Sequence, residues 1–408
     1  MTPMIQVTLD ADQVKDLFAG DDPMRLLLEQ VLNQILEEEM TEHLGAERYE
    51  RTDERRAYRN GYRPRRFTTR VGTMVLHVPQ TRDGSFSTEL FGRYQRSEQA
   101  LVLALMEMVL QGVSTRKVKK VTEELCGTSF SKSTVSRLCQ GLDVRVTAWN
   151  ERPLEAGAYP FVIVDALVLK VRRQQAVRST SALIALGVNK AGYREVLGLM
   201  LGDCESEASW SVFFRSLKQR GLSGVDLIVS DDHLGLVKAA ERYFQGAMWQ
   251  RCQTHLMRNI IGASPKAERA AMVEQVRRLF RSETKQEARA VFQEMATRFE
   301  GKADAALAVL EGGLEAATQV LVLPEVYRRR LRTTNMLERL NEEIRRRERV
   351  IRIFPNDASA VRLVGALLAE QHETWLSGRR YFDMEAYWHW KRARAALEAT
   401  EEPIRSAA

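Results

Sequence analysis

Apolar positions recur along this chain with two different periods, and the change of period divides it. From Asp22 to His43, Leu27, Leu28, Val31, Leu32 and Ile35 fall on one stripe at helical spacing. Asp22 stands where a helix cap belongs, Pro23 at the first helical position and Gly45 just past the end, so the segment is predicted to be an amphipathic helix. Thr68 to Val78 alternates as a strand pair does, and Asp83-Gly84 marks a turn. Helical spacing returns from Gln99 to Gln111, where Gly112 breaks it; Ser114 caps a second helix ending near Cys126-Gly127, and Ser131 caps a third, Lys132 to Leu142. Two short helices joined by a glycine-containing turn have helix-turn-helix spacing.

The texture changes after Trp149–Pro153. Phe161 to Val171, Ser181 to Val188 and Glu195 to Leu201 read as strands, and Glu207 to Arg220 as a helix closed by Gly221. Val225 to Ser230 is a strand, polar only at Asp226 and its last residue; Leu236 to Phe244 is helical, and Ala247 to Cys252 is a short strand. Residues 265 to about 320 are Ala/Glu/Arg-rich and helical; Thr334 to Arg349 is a helix, Pro355 stops the chain, and Asn356 or Asp357 starts another helix to Trp375. Beyond Ser377 the sequence is rich in Trp, Tyr and Arg and carries no clear period. Strands interleaved with helices in this order predict a mixed sheet with helices on its faces, an order that matches the RNase H-like fold.

Composition adds location more than class. The longest nearly apolar run, Ala100 to Leu110, contains Glu107 and is too short to span a bilayer; Met1 to Asp10 has neither a basic nor an apolar leader region, so no membrane association is expected and the protein is expected to stay in the cytosol. Four scattered cysteines make no disulfide framework, which fits a reducing compartment. Lys and Arg outnumber Asp and Glu only by 61 to 54, so position matters more than the total. Seven arginines, Arg55, Arg56, Arg59, Arg63, Arg65, Arg66 and Arg70, crowd one acid-free segment with three aromatics, and ten more lie between Arg328 and Arg352. Such clusters suit a polyanion, because the guanidinium fork matches phosphate oxygens and each contact releases counterions. The helix after Ser131 would present Lys132, Ser133, Thr134, Ser136 and Arg137 to a duplex groove; the same spacing also occurs in ordinary helical hairpins.

Three acids carry the candidate chemistry. Asp165 interrupts an apolar strand, where a charge needs a partner or a metal. Asp231 ends the next strongly apolar strand, the place where α/β sheets put their sites. Glu338 shares a polar helix face with Thr334, Asn335, Asn341, Glu342 and Arg345, although an acid among arginines is as readily a surface ion pair. Asp232, Asp203, Glu205, Glu207, Glu342 and Glu343 compete with them. Cys252 and His255 have the spacing of half a zinc site, but no second close pair completes four ligands, and a buried thiol beside a hydrogen-bonded histidine is the plainer reading. Trp249 reads as a core residue.

The motifs RNGYRPR, VPQTRDGSF, GVSTRKV, SKSTVSR, WNERPL, FVIVDAL, GLSGVDLIVSDDHLGL, WQRCQTHLMRN and RTTNMLERLNEEIRRRERVIRIFPND lie between Arg59 and Asp357, within a likeness that covers the chain from the first helix to Trp375. Together they resemble the Mutator-like transposases of bacterial insertion sequences. The resemblance implies an acid triad at Asp165, Asp231 and Glu338, separated by 66 and 107 residues, holding two Mg²⁺ ions for which Mn²⁺ can substitute. It implies an α/β architecture: an RNase H-like catalytic domain with an all-α insertion, behind a mainly helical N-terminal DNA-binding region. The expected divisions are 1–98 and 99–150 for DNA binding, 151–262 with 330–376 for catalysis, 263–329 for the insertion and 377–408 for a tail. Expected partners are double-stranded DNA, at terminal inverted repeats and at target sites, and further copies of the chain in a dimer or larger assembly at the nucleoid. Cys252 and His255 would support the site, with His255 or His233 near the scissile phosphate, while Arg258, Arg345, Arg346 and Arg347 would hold DNA. The chain departs from the family at Asp232, where a small residue is usual, at Leu234, where Lys is usual, and at Gln80, where Arg is usual. Asp231 and Asp232 thus both qualify to face the metals, with strand phase and motif favouring Asp231. A DNA-binding regulator derived from a transposase, or an RNase H-like nuclease acting on other nucleic acids, are the rival readings.

Overall fold

The structure, a computed structural model, describes residues 23–91, 97–126, 130–155 and 157–405; Asp22, the expected first cap, lies outside them. The chain divides into two compact units between Gln140 and Gly141.

In the first unit, α1 (Pro23–Leu44) packs on a hairpin of β1 (Arg59–Thr69) and β2 (Gly72–Thr81). Its buried line runs through Leu36, Met40 and Leu44, with Leu28 and Leu32 beside it, so Leu27, Val31 and Ile35 flank the predicted stripe rather than form its centre. The hairpin sets that line by offering Phe67, Met74, Leu76 and Val78 from one face. The arginine-rich segment is mostly β-strand, so this region is less helical than expected: Arg63, Arg65 and Phe67 lie opposite Val78, Leu76 and Met74, and long side chains cover the apolar face without an apolar period in the sequence. Helices α2 (Gln99–Leu110), α3 (Thr115–Cys126) and α4 (Lys132–Cys139) share a core of Leu101, Leu105, Val118, Phe130, Val135 and Cys139. Ser131 caps α4 by accepting from Thr134 N at 3.1 Å.

The helix expected to reach Leu142 instead ends at Cys139, and a new one, α5 (Leu142–Glu151), belongs to the second unit, ahead of the boundary expected after residue 150. The second unit is built on a five-stranded sheet in the order β5-β4-β3-β6-β7, from β3 (Phe161–Arg173), β4 (Ala176–Val188), β5 (Arg194–Gly202), β6 (Leu227–Ser230) and β7 (Met248–Arg251). The first three strands are antiparallel; β6 and β7 run parallel to β3. Helices α6 (Glu207–Gln219) and α7 (Leu234–Tyr243) cover one face, where Trp210, Phe213 and Phe214 pack on Val162, Val164 and Ile228. The other face receives α13 (Asn335–Ile351) and α14 (Asp357–Ser377). Gly365 lets α14 approach α5 so closely that a Cβ there would meet Val146 Cγ1 at 2.4 Å, and Arg362 grips Asp143 through two bonds of 2.6 and 2.7 Å.

Between the sheet and α13, α8 (Gln253–Ala263), α9 (Arg269–Leu279), α10 (Lys285–Phe299) and α11 (Asp304–Ala317) form a helical bundle with its own core, followed by a 3₁₀ turn and α12 (Glu325–Leu331). Asp304–Val322 is long and apolar enough to cross a membrane by composition, which the sequence reading did not register; Ala306, Leu310, Leu314 and Ala317 face the bundle core. The tail holds α15 (Glu385–Arg405), whose Tyr387 ring lies 4.8 Å from Phe161 and whose Lys391 bonds Asp226 at 2.7 Å. That anchor accounts for the polar Asp226 in an apolar strand.

Where α5 meets α14, His372 is buried beside Arg152, with 3.4 Å between Arg152 Nη2 and His372 Nδ1. Burial and then the Arg152 charge push His372 down to about 4. The unfolded chain binds this proton below about pH 6.5 and the folded chain does not, so the contribution is complete above that pH and is lost as pH falls towards 4. Denaturation midpoints measured from pH 7 to 4.5 should fall in the wild type and fall less in His372→Gln, by roughly 2 kcal/mol across the window. Equal slopes would contradict the assignment.

Candidate active site

The carboxylate of Asp165 sits midway along β3, where apolar residues on either side specify a strand and leave it half-buried. Its Oδ1 accepts from Ala166 N at 2.9 Å and its Oδ2 from Asn341 Nδ2 at 2.8 Å. Burial is the main force on it and Asp231 adds repulsion, so its proton affinity rises until it titrates at about 7, against the opposing pull of the Ala166 amide and of His255. Asp231 follows β6, which runs parallel to β3, so the two aspartates project from adjacent strands; Asp231 Oδ1 accepts from His233 N at 3.3 Å. Asp232 turns elsewhere, to Arg251 Nη1 at 2.8 Å. Asp232 thus holds a nearly buried arginine, while Asp231 is the acid whose charge acts on Asp165.

Glu338 lies in the first turn of α13, one turn before Asn341 on the same face. Its Oε1 stands 3.7 Å from His255 Nε2 and 3.4 Å from Arg258 Nη2, yet this oxygen is buried with no hydrogen-bond partner. His255 ties the acids together: its affinity for a proton is raised by the Cys252 thiol first and then, against burial, by Asp165 and Asp231. Among the described residues no three His, Cys, Asp or Glu side chains are close enough together to hold a metal ion. Around His255 stand Glu338, at 3.7 Å, and Asp165 and Asp231, whose charges act on it, with the Asn341 amide holding Asp165. Oxygen donors of this kind suit a hard divalent cation.

Cys252 is buried at the start of α8, and its sulfur accepts from Thr334 N at 3.3 Å and Thr334 Oγ1 at 3.4 Å. Beside it Gln253 N donates to Arg332 O at 3.0 Å. The Cys-x-x-His segment thus clamps the entry of α13 to the end of the sheet, which sets where Glu338 stands. His233 is 3.8 Å from Glu205, an acid that burial and Asp231 push upward. Sequence reasoning kept Glu205 only as a competitor and gave Asn341 no more than a place on a polar face; the spacing of Asn341 from Glu338 was the signal for it. Trp249 is half-buried and donates to Ser230 Oγ at 2.9 Å.

The arginines expected on DNA divide into two groups. Arg59 bonds Glu37 at 2.6 Å, Arg70 bonds Glu98 at 2.9 Å, and Arg55 caps the loop carbonyls of Glu47 and Glu50 at 2.7 Å, while the Arg65 guanidinium lies 4.1 Å over the Phe91 ring. Arg56, Arg63 and Arg66 are exposed. On α4, Ser133, Ser136 and Arg137 are exposed, Thr134 is half-buried in the cap, and the Lys132 side chain lies outside the described residues. On α13, Arg345 and Arg346 are exposed, Arg346 pairing with Glu343, but Arg347 is buried and bonds Glu343 at 2.8 Å, so the expectation that it holds DNA is corrected: its position on the helix turns it inward. Arg258 faces Glu338.

A family model described as "Transposase, Mutator family" matches residues 2–378. The chain is 44% identical over 387 residues to the transposase for insertion sequence element IS256 in transposon Tn4001 of Staphylococcus aureus, covering 93% of this chain and 99% of that protein. It is 43% identical over 400 residues to the transposase for insertion sequence element IS1081 of Mycobacterium tuberculosis, covering 97% and 94%. A solved chain of the Mos1 transposase paired-end complex with left transposon end matches at 9% identity over 39% of this chain and 60% of that one, with a TM-score of 0.14, too slight a likeness to bear on the fold.

Asn341→Leu removes the side-chain donor to Asp165 Oδ2, a bond to a charged group worth about 1.5–3 kcal/mol. Calorimetric titration with Mn²⁺ should show affinity about tenfold weaker, about 1.4 kcal/mol. Unaltered Mn²⁺ affinity would remove Asn341 from the site.

Proposed function

This chain belongs to the Mutator family of transposases, and we propose on that premise that it mobilises an insertion sequence as a DDE transposase, cutting DNA at terminal inverted repeats and joining the freed ends to target DNA. The observation that carries the reading is Asp165, an acid held at about 7 by burial and by Asp231 and bound by an amide one turn from Glu338. A half-buried carboxylate whose charge is only partly compensated suits cations that arrive with substrate. The strand order, antiparallel β5-β4-β3 continued by parallel β6 and β7, supports an RNase H-like fold.

Asp165, Asp231 and Glu338 would hold two Mg²⁺ ions, or Mn²⁺ in their place. When bound, these supply charge neutralisation at the attacking and leaving oxygens of phosphoryl transfer. The chain's own residues prepare that chemistry. Asn341 fixes the Asp165 carboxylate; the Cys252–Thr334 contact fixes the start of α13 and hence Glu338; His255 and Arg258 set the charge around Glu338. In the first step a water oxygen bonds to phosphorus while the bond to the 3′-oxygen breaks, and that oxygen leaves as a hydroxyl after taking a proton. In the second, the 3′-hydroxyl oxygen bonds to a target phosphorus, loses its proton and displaces a target 3′-oxygen, which leaves protonated. No covalent bond to the protein forms.

In the first unit, the exposed face of α4 would enter a groove through Ser133, Ser136 and Arg137, with Arg56, Arg63 and Arg66 on phosphates. Pairing two ends calls for a dimer or larger assembly, and the work would be done at the nucleoid. A catalytically silent regulator would bind ends without cutting them, and a general nuclease would cut random duplex equally well. Asp165→Asn should lower Mn²⁺-dependent nicking of an inverted-repeat duplex by about 10³-fold or more, with end affinity kept. Nicking at the wild-type rate in this variant would overturn the mechanism.

A further inference from the structure

The sequence predicted strands ending at Val171 and resuming at Ser181. The structure instead carries β3 on to Arg173 and starts β4 at Ala176, joined by the two-residue turn Gln174-Gln175. Strand β5 pairs with β4 only from Ser181 onward, so residues 168–180 form a two-stranded ribbon extending past the sheet. The arm is rigidly founded. Leu169 and Val171 are fully buried, and Phe354 bonds to both Lys170 O and Arg172 N at 2.8 Å. Gln174 and Gln175 have φ of 48° and 66°, the left-handed pair that a tight hairpin turn requires, here met without glycine.

The charge of this arm is one-signed. No acid occurs between Asp165 and Glu195. Arg173 is neutralised by Asp203 and Asp357, but Lys170, Arg172 and Arg178 are exposed. By strand alternation Lys170 and Arg172 point to one face of the ribbon and Arg178 to the other. Lys170 of the arm and Arg345 and Arg349 of α13 all act on the charge of Glu348, and Arg345 and Arg349 are exposed, so exposed cations continue onto the helix that bears Glu338. Along the strand, Lys170 and Arg172 stand about 17–23 Å from Asp165, roughly 5–7 base pairs of duplex.

We propose that the β3–β4 arm is the docking surface for target DNA, its exposed cations meeting the phosphates of the duplex. The inference rests on the transposase reading above and names the second substrate of the same site. A major groove admits a two-stranded ribbon, and three exposed cations on a narrow arm match the phosphates that border such a groove. Lysine and arginine heads on phosphates bind without regard to sequence, as a duplex of unspecified sequence demands, whereas the terminal repeats fall to the first unit.

The test uses the full-length triple variant Lys170→Gln, Arg172→Gln, Arg178→Gln, preloaded with a precut inverted-repeat end. Binding of a random-sequence duplex is read by fluorescence anisotropy across a salt series, nicking is read on an uncut end, and joining is read into a random-sequence plasmid. The variant should bind random duplex with a log–log salt slope reduced by about two to three and join at least tenfold less, while nicking ends as the wild type does. A charge-retaining variant, Lys170→Arg, should join as the wild type does, which separates lost charge from a damaged fold. Unchanged random-duplex binding, or nicking lowered in step with joining, would overturn the proposal. A wild type that binds random duplex through the arm yet nicks no end would leave the arm standing and bring down the transposase reading instead.

Discussion

Ionising a carboxylate in the apolar middle of a strand is costly unless something beside it compensates, and Asp165 is so placed on β3. The nearest protein groups compensate only in part. One backbone amide and one side-chain amide bind its oxygens, while burial first and Asp231 second oppose its charge and leave it titrating at about 7. Much of the second unit can be understood as the framework that keeps this arrangement in place: flanking helices on both sheet faces, a parallel strand that brings Asp231 alongside, and a helix returning from far along the chain with Asn341 and Glu338.

That return needs a joint, since the helical bundle intervenes between β7 and α13. The Cys252 sulfur supplies it by binding both the amide and the hydroxyl of Thr334, with Gln253 reaching Arg332 alongside. At the far end of α13 the chain is fixed again, where Phe354 bonds β3 beyond Asp165. A helix pinned at one end beside β7 and at the other to β3 has little freedom to shift Glu338 relative to the sheet. The bundle has a core of its own and meets the sheet end through α11 and the 3₁₀ turn that follows it, which pack on β7.

How much of this could be read from the sequence depends on whether an element announces itself by burial. The sheet strands from Phe161 onward are apolar runs and were legible nearly to the residue, as were the Ser131 cap and the helix that carries Glu338. The tip of the β3–β4 arm is polar and exposed, so no period marks it, and the tail helix bearing Tyr387 and Lys391 hides among mixed aromatic and basic residues. Arginine clustering marks basic segments but not the use of each side chain: Arg59 and Arg70 are bound by Glu37 and Glu98, and Arg347 is turned inward to Glu343. Asn341 holds Asp165 across 176 residues, a contact that only tertiary structure can create. The choice between Asp231 and Asp232 likewise waited on Arg251, which takes the second for itself.

The central claim is that the carboxylates of Asp165, Asp231 and Glu338 surround divalent cations once DNA is bound. Anomalous scattering from Mn²⁺ in crystals of the protein with a precut end tests it most directly. The account predicts metal peaks in contact with the carboxylates of Asp165 and Asp231, with Glu338 closing the site beside the 3′-hydroxyl. Manganese bound elsewhere, with these three side chains apart and without metal in a DNA-bound complex, would contradict it.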